Sequence, residues 1–271
     1  MDLKKLKIVI WCGAAANQKA LANKMVGEFE ILGIVIDTHS GKNKRKKPNQ
    51  LLGIFWDRFR FHTIYKAWIN LMKYYDKHFP AWPDVPIIKV SDINDTATEN
   101  FTKHIQPDLI IVSGSGLIRE PLISIPTSKG IINLHTGLSP YVKGGPNCTN
   151  WCIANNTFHL VGNTIMWLNA GIDTGNIITT ETVDITKTKN LNEAHQVVMD
   201  HAHGLYLKAI QYLLETEPPY NSVQQNSIDR GQLYLTKMWT ARKRKQLLRN
   251  WKRRKTFVMP FHPKIVPLNN K

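Results

Sequence analysis

"KIVIWCG" (Lys7 to Gly13), "NQKALANKMVGEF" and "EILGIVID" follow one another closely, with only three alanines between the first two, and end at Asp37. The outer two are short, unbroken apolar runs of strand length, and the middle one has helical composition. Strands joined through a crossover helix lie parallel, and parallel strands are covered on both faces, which accounts for apolar residues at every position. This unit constrains the chain more than any other feature. It predicts an α/β fold, a Rossmann-like and mostly parallel sheet with flanking helices. The turn after the first strand, "GAAANQ", lacks the three glycines of a dinucleotide fingerprint and disfavours NAD.

The rhythm breaks after Asp37. A basic loop leads into "LLGIFWDRFRFHTIYKAWINLMKYYDKHF", read as a helical insertion around residues 42–82 whose aromatics serve packing. Then come a strand "VPIIKV", a helix "DINDTATENFTKHIQ", and strands "PDLIIVSG" and "KGIINLHTG". "PNCTNWCIAN" suits a helix with Pro146 at its first position and Asn155 or Asn156 as its stop. "LVGNTIMWLNAGIDTGNIITTETVDI" alternates as strands around a Gly-rich loop. A long amphipathic helix starts at Asn190 or Asn192. The main domain is expected to cover 1–217, leaving 218–271 as a basic C-terminal extension. Within that extension, at about 100° per residue, Leu235, Met238 and Trp239 face one side and Leu247, Leu248 and Trp251 nearly the other. Two short helical pieces fit this better than one.

The net charge of +16 resembles a nucleic-acid signature until it is located. "KNKRKK" (Lys42 to Lys47) and "KMWTARKRKQLLRNWKRRK" (Lys237 to Lys255) hold fifteen of the 36 Lys and Arg residues and no acid. The remaining 21 nearly balance the 20 Asp and Glu, so the body is close to neutral and the basicity sits in two segments. No apolar run approaches the ~20 residues that span a bilayer. The start, "LKKLKIVIWCGAAA", mimics a leader, but cutting near Ala16 would remove the first strand, so a cytoplasmic protein is expected. Three cysteines make no disulfide framework. Cys148 and Cys152 lack a second ligand pair and read as buried thiols, with no metal expected. His195, His201 and His203 lack an HExxH pattern and read as helix-surface residues.

Asn133 and His135 stand two apart on the strand "KGIINLHTG" and share a face. They lie at its carboxyl end, where open α/β sheets bind ligands. An amide donor beside an imidazole suits a carbonyl oxygen that gains negative charge. Asp173, in the loop "NAGIDTG", could orient the imidazole and favour its charged form. No serine or cysteine stands out as a nucleophile, so the attacking group would belong to the substrate. Acyl transfer to an amine is the chemistry expected.

In order and spacing these stretches resemble the formyltransferase family that uses N10-formyltetrahydrofolate. Its Asn-x-His, Leu-x-Pro turn and Asp-x-Gly loop match at Asn133 with His135, Leu138 with Pro140, and Asp173 with Gly175, within a likeness running from about Lys7 to Glu217. The resemblance implies a Rossmann-like formyltransferase domain, N10-formyltetrahydrofolate as co-substrate, and Asn133, His135 and Asp173 as catalytic residues. Asn133 and protonated His135 would hold the formyl oxygen, while Asp173 supports His135 and assists proton movement. The folate would lie against Ser113, Gly114, Leu117, Ile118 and Arg119 on one side and Asn169 and Ala170 on the other. "GAAANQ" departs from the glycine-rich phosphate loop of glycinamide ribonucleotide formyltransferases. The fifty-residue tail is short for the C-terminal barrel of methionyl-tRNA formyltransferases. "GLSPYVKGG" and "GQLYLTKMW" look most like the sugar N-formyltransferases, which act on nucleotide-linked amino sugars in surface-polysaccharide (lipopolysaccharide O-antigen) biosynthesis. A nucleotide-linked amino sugar is therefore the expected substrate, held by Tyr141, Lys143 and Tyr234, with no nucleic acid. A methionyl-tRNA formyltransferase-like enzyme and a non-catalytic basic binding protein are the alternatives. Weak association with an anionic membrane surface and a homodimer stay open.

Overall fold

The computed structural model describes residues 6–39, 48–145 and 147–268. The basic run Lys42 to Lys47 and the expected helix start at Pro146 lie outside them. The opening unit folds as strand β1 (Ile8–Gly13), helix α1 (Ala16–Glu28) and strand β2 (Ile31–Asp37). All six residues of β1 are buried, as a central parallel strand requires. Between β2 and β3 (Ile87–Val90) come two helices, α2 (Pro48–Arg60) and α3 (His62–His78). Helix α4 (Thr96–Ile105) is started by Asp95, whose carboxylate accepts the Ala97 N–H at 2.9 Å. Strands β4 (Leu109–Ser113) and β5 (Gly130–His135) follow, then a short strand β6 (Val142–Gly144). Helix α5 (Cys148–Asn155) ends at Asn156, whose φ of 58° makes it the stop. Strands β7 (Gly162–Trp167) and β8 (Ile177–Thr182) lead to α6 (Leu191–Glu215), capped by Asn190.

Among the described residues, seven strands form one sheet in the order β3-β2-β1-β4-β5-β7-β8. The first five are mutually parallel, β7 runs antiparallel to β5, and β8 runs antiparallel to β7. This is a mostly parallel α/β sheet with helices on its faces. One face packs under α1 and α6, where Ala202, Leu205, Ala209 and Leu213 recur at helical spacing against Ile10, Ile111 and Ile132. The other face carries Val9, Trp11, Val35 and Ile110.

Buried Tyr206 on α6 stitches this core. Its hydroxyl accepts the Val112 N–H at 2.9 Å and donates to the Ile132 carbonyl at 2.8 Å. A phenylalanine there would leave buried polar groups of β4 and β5 unpaired. Tyr206→Phe is therefore expected to destabilise the protein by ~1–3 kcal/mol. The midpoint of urea unfolding would show it, and an unchanged midpoint would contradict the assignment.

The structure corrects one reading of α6. His195 and His203 are not on the helix surface: they are 4% and 1% exposed. The helix is covered on two sides, by the sheet and by α3, so positions off the sheet-facing stripe are buried too. Burial pushes His195 down to about 4 and His203 to about 3, the latter helped by Lys24, so both stay neutral. His201 is half-buried and reaches Glu181 at 2.8 Å.

The C-terminal stretch folds back onto the body. Strand β9 (Gln232–Tyr234) pairs in parallel with β6, which no local pattern announces. A single 3-10 turn at Thr236–Met238 precedes helix α7 (Ala241–Arg253), in keeping with two short pieces. Leu247 and Trp251 of α7 enter a core of their own with Val142, Cys148, Cys152 and Ile153, beside Phe61 and Ile64 of the α2–α3 region.

Candidate active site

Strand β5 sits where the sheet changes from parallel to antiparallel, with β4 on one flank and β7 on the other. Its last turns of pleat place Asn133 and His135 on one wall of a cleft of about 910 Å³. His135 is buried at the floor. Its Nε2 lies 2.9 Å from the Val142 carbonyl, which can only accept, so that nitrogen carries a proton. Its Nδ1 faces Asp173 Oδ2 at 3.3 Å. Acceptors at both ring nitrogens call for a proton on each, which makes the ring an imidazolium. Burial alone would push the imidazole down. The Asp173 carboxylate, Cys148 and the Val142 carbonyl outweigh it and raise His135 to about 10.

Local chemistry sets up this contact. Gly137 leaves room for the ring: a Cβ there would run into His135 Nε2. Asp173 adopts a left-handed φ of 50°, which directs its carboxylate back across the loop. There Oδ2 also accepts the Gly144 N–H at 2.9 Å. Gly175 allows the loop to close, since a Cβ would collide with the Trp167 carbonyl. Gln225 clamps the outside, donating to the Asp173 and Gly175 carbonyls, both at 2.8 Å. Asn133 differs from its neighbours. Its carboxamide is half-buried, borders the cleft and has no hydrogen-bond partner among the described residues.

The expected folate residues divide. Ser113, Gly114, Leu117 and Ile118 line the cleft, whereas Arg119, Asn169 and Ala170 do not. Asn94, which sequence reasoning missed, accepts the Arg119 N–H at 2.8 Å and donates to the Leu117 carbonyl at 2.9 Å. Asp37 accepts the Gly116 N–H at 2.9 Å. These two side chains fix the loop after β4. Asn169 turns inward on its own loop and accepts from Thr174 Oγ1 at 2.7 Å.

Of the expected acceptor residues, Tyr234 lines the cleft, stacked on Trp151 at 4.6 Å and 18°, with its hydroxyl accepting from Asn155 at 2.9 Å. Lys143 is directed at the Arg230 carbonyl, 3.2 Å away. Tyr141 accepts the Lys264 N–H at 2.9 Å through its hydroxyl and lies outside the cleft lining. Trp68, His39 and Met199 join the lining unannounced by any motif. Cys148 and Cys152 are buried free thiols, and Cys148 Sγ sits 3.7 Å from His135 Nε2. Among the described residues, no group of His, Cys, Asp and Glu could hold a metal ion, and no helix is long and apolar enough to cross a membrane.

Comparison with known proteins bears on the same region. Residues 80–210 match the formyl transferase family. The methionyl-tRNA formyltransferase of Clostridium perfringens is 32% identical over 125 residues, which is 46% of this chain and 40% of that protein. The chain thus matches less than half the length of this curated relative. The crystal structure of an N-formyltransferase from Helicobacter canadensis in complex with folinic acid and dTDP-3-aminofucose superposes with a TM-score of 0.57 at 13% identity, over 90% of this chain and 80% of that one. Phosphoribosylglycinamide formyltransferase from Bacillus halodurans gives 0.53 at 20% identity, over 79% and 98%. At these identities the likeness is one of fold.

Proposed function

With a formyl transferase domain over residues 80–210 as the premise, we propose that this chain moves the formyl group of N10-formyltetrahydrofolate to the amine of a nucleotide-linked amino sugar. The observation that carries the reading is the Asn133 carboxamide, unbonded among the described residues, beside a cationic His135 on the same cleft.

The cleft fits a folate. Its wall after β4 is backbone held rigid by Asp37 and Asn94, with Leu117 offering apolar surface to a flat ring. Ser113, Gly114, Leu117 and Ile118 would hold it, and when bound it supplies the formyl carbon. Asn133 is free to donate to the formyl oxygen. His135 contributes a fixed positive charge where that oxygen gains negative charge. Its Nε2–H is engaged by Val142, so direct donation requires sharing that proton with the carbonyl. Asp173 keeps the ring charged through Oδ2, while Oδ1, unbonded among the described residues, can take the proton lost by the attacking amine and return it to the folate nitrogen as the formyl carbon–nitrogen bond breaks.

The tail contributes Tyr234, Leu235 and Thr236 to the cleft wall, where they would meet the acceptor. The solved N-formyltransferase with dTDP-3-aminofucose has the same fold and agrees with a sugar acceptor. A second reading, formylation of methionyl-tRNA, is favoured by the 32% identity to the clostridial enzyme. Incubation with N10-formyltetrahydrofolate and a panel of nucleotide-linked amino sugars, with charged initiator tRNA alongside, separates them. Formylation of a nucleotide-linked amino sugar is expected. Formylation of the tRNA alone would overturn the sugar assignment.

A further inference from the structure

Helix α2 packs one side on the body and leaves the other bare. Its inward side carries Phe61 just past its end, buried at 2%, and Asp57, which bonds Tyr65 and pairs with Arg244 of α7 at 2.7 Å. On the outward side Phe55, Trp56 and Phe59 are 61%, 59% and 68% exposed. At about 100° per residue these three fill one narrow stripe, and Arg58 and Arg60 border it on either edge. Three bare aromatics between two arginines on one helix is a costly surface in water unless something covers it.

Helix α7, tied to α2 by the Arg244–Asp57 pair, carries exposed positive charge. Its inner side is occupied by Leu247, Trp251 and the Arg244–Asp57 pair. Arg242, Lys245, Arg249, Lys252 and Arg253 are exposed and have no carboxylate partner among the described residues. Just beyond its end Val258 is 83% exposed, with Met259 and Phe261 also open.

We propose that α2 and α7 form a docking surface for an anionic phospholipid bilayer. The aromatics would seat at the headgroup–acyl boundary, and the tail cations would meet the lipid charge. The same geometry disfavours other occupants. A second copy related by a twofold axis would set these cations against themselves. For nucleic acid, successive bases stack on ring faces that lie along one strand path, yet Trp56 stands at 74° and 90° to Phe55 and Phe59. Val258 and Met259 have no ring to offer. The surface is separate from the cleft and leaves its chemistry untouched.

Co-sedimentation of the full chain with vesicles tests this. Binding is expected to phosphatidylcholine vesicles containing phosphatidylglycerol and not to phosphatidylcholine alone. Two variants, Phe55→Ser/Trp56→Ser/Phe59→Ser and Arg242→Glu/Lys245→Glu/Arg249→Glu, should each lower partitioning at least about tenfold. Folding, checked by circular dichroism, should hold, since all six side chains are exposed. Quenching of tryptophan fluorescence by brominated lipid should be weaker in Trp56→Phe, a milder change. No binding to the anionic vesicles would overturn the proposal. So would binding that the aromatic variant leaves intact, or a dimer in light scattering that the aromatic variant dissociates.

Discussion

Asp173→Asn is expected to lower formyl transfer by ~10²–10³, the scale of removing one electrostatic partner from such a site. The substitution isolates charge from shape. Asn tolerates the left-handed backbone that Asp173 adopts at φ 50°, and an amide oxygen can still accept the Gly144 N–H. What disappears is the negative charge 3.3 Å from His135 Nδ1. Without it, burial dominates and the imidazole should lose its second proton within or below the neutral range. The sign follows from linkage. His135 is raised from 6.5 to about 10, so the stability contributed by its charged form is fully present below pH 6.5 and is lost as pH climbs through about 10. Turnover in the native protein should hold across neutral pH and decline on approach to about 10. In Asp173→Asn the His135 titration, followed by ¹⁵N NMR, should move down by several units. Near-normal turnover in this variant would sink the proposed role of the pair.

Asn133→Ala should cost a similar ~10²–10³ in turnover, for a different reason. The carboxamide bonds no described residue, so its removal breaks nothing inside the protein, and the melting temperature should stay put. It should act chiefly on kcat rather than KM, as expected for a donor engaged most strongly as charge builds on the formyl oxygen. A steady-state comparison at matched folate and acceptor concentrations reads this split. A variant that raises KM and leaves kcat alone would place Asn133 in ground-state binding instead.

Much of this architecture was legible in local patterns. Apolar runs marked β1, β2 and β4 as buried strands, and Asn190 was one of two residues read as the start of α6, because a short polar side chain satisfies the first free N–H groups. Asn133 and His135 were legible as a pair because the two-residue repeat of a strand puts them on one face. Motif order brought Asp173 forward as a partner, 38 positions downstream of His135.

The rest was decided by contacts between segments far apart in the chain. The proton on His135 Nε2 is settled by the Val142 carbonyl, and β6 is positioned in turn by pairing with β9, some ninety residues on. Nothing within reach of Val142 in the sequence encodes that partner. His195 and His203 looked like surface residues because the helical repeat marks a single buried face, yet α3 covers a second one. Asn94 escaped notice since a lone Asn in a turn carries no motif, although it ties down the loop after β4. Local periodicity determined where the long strands and helices lie, though not β6 and β9, and which side chains share a face. Which groups finally met, and hence how many protons the central histidine holds, only the tertiary structure decided, because those contacts form when loops close over distances that no local pattern records.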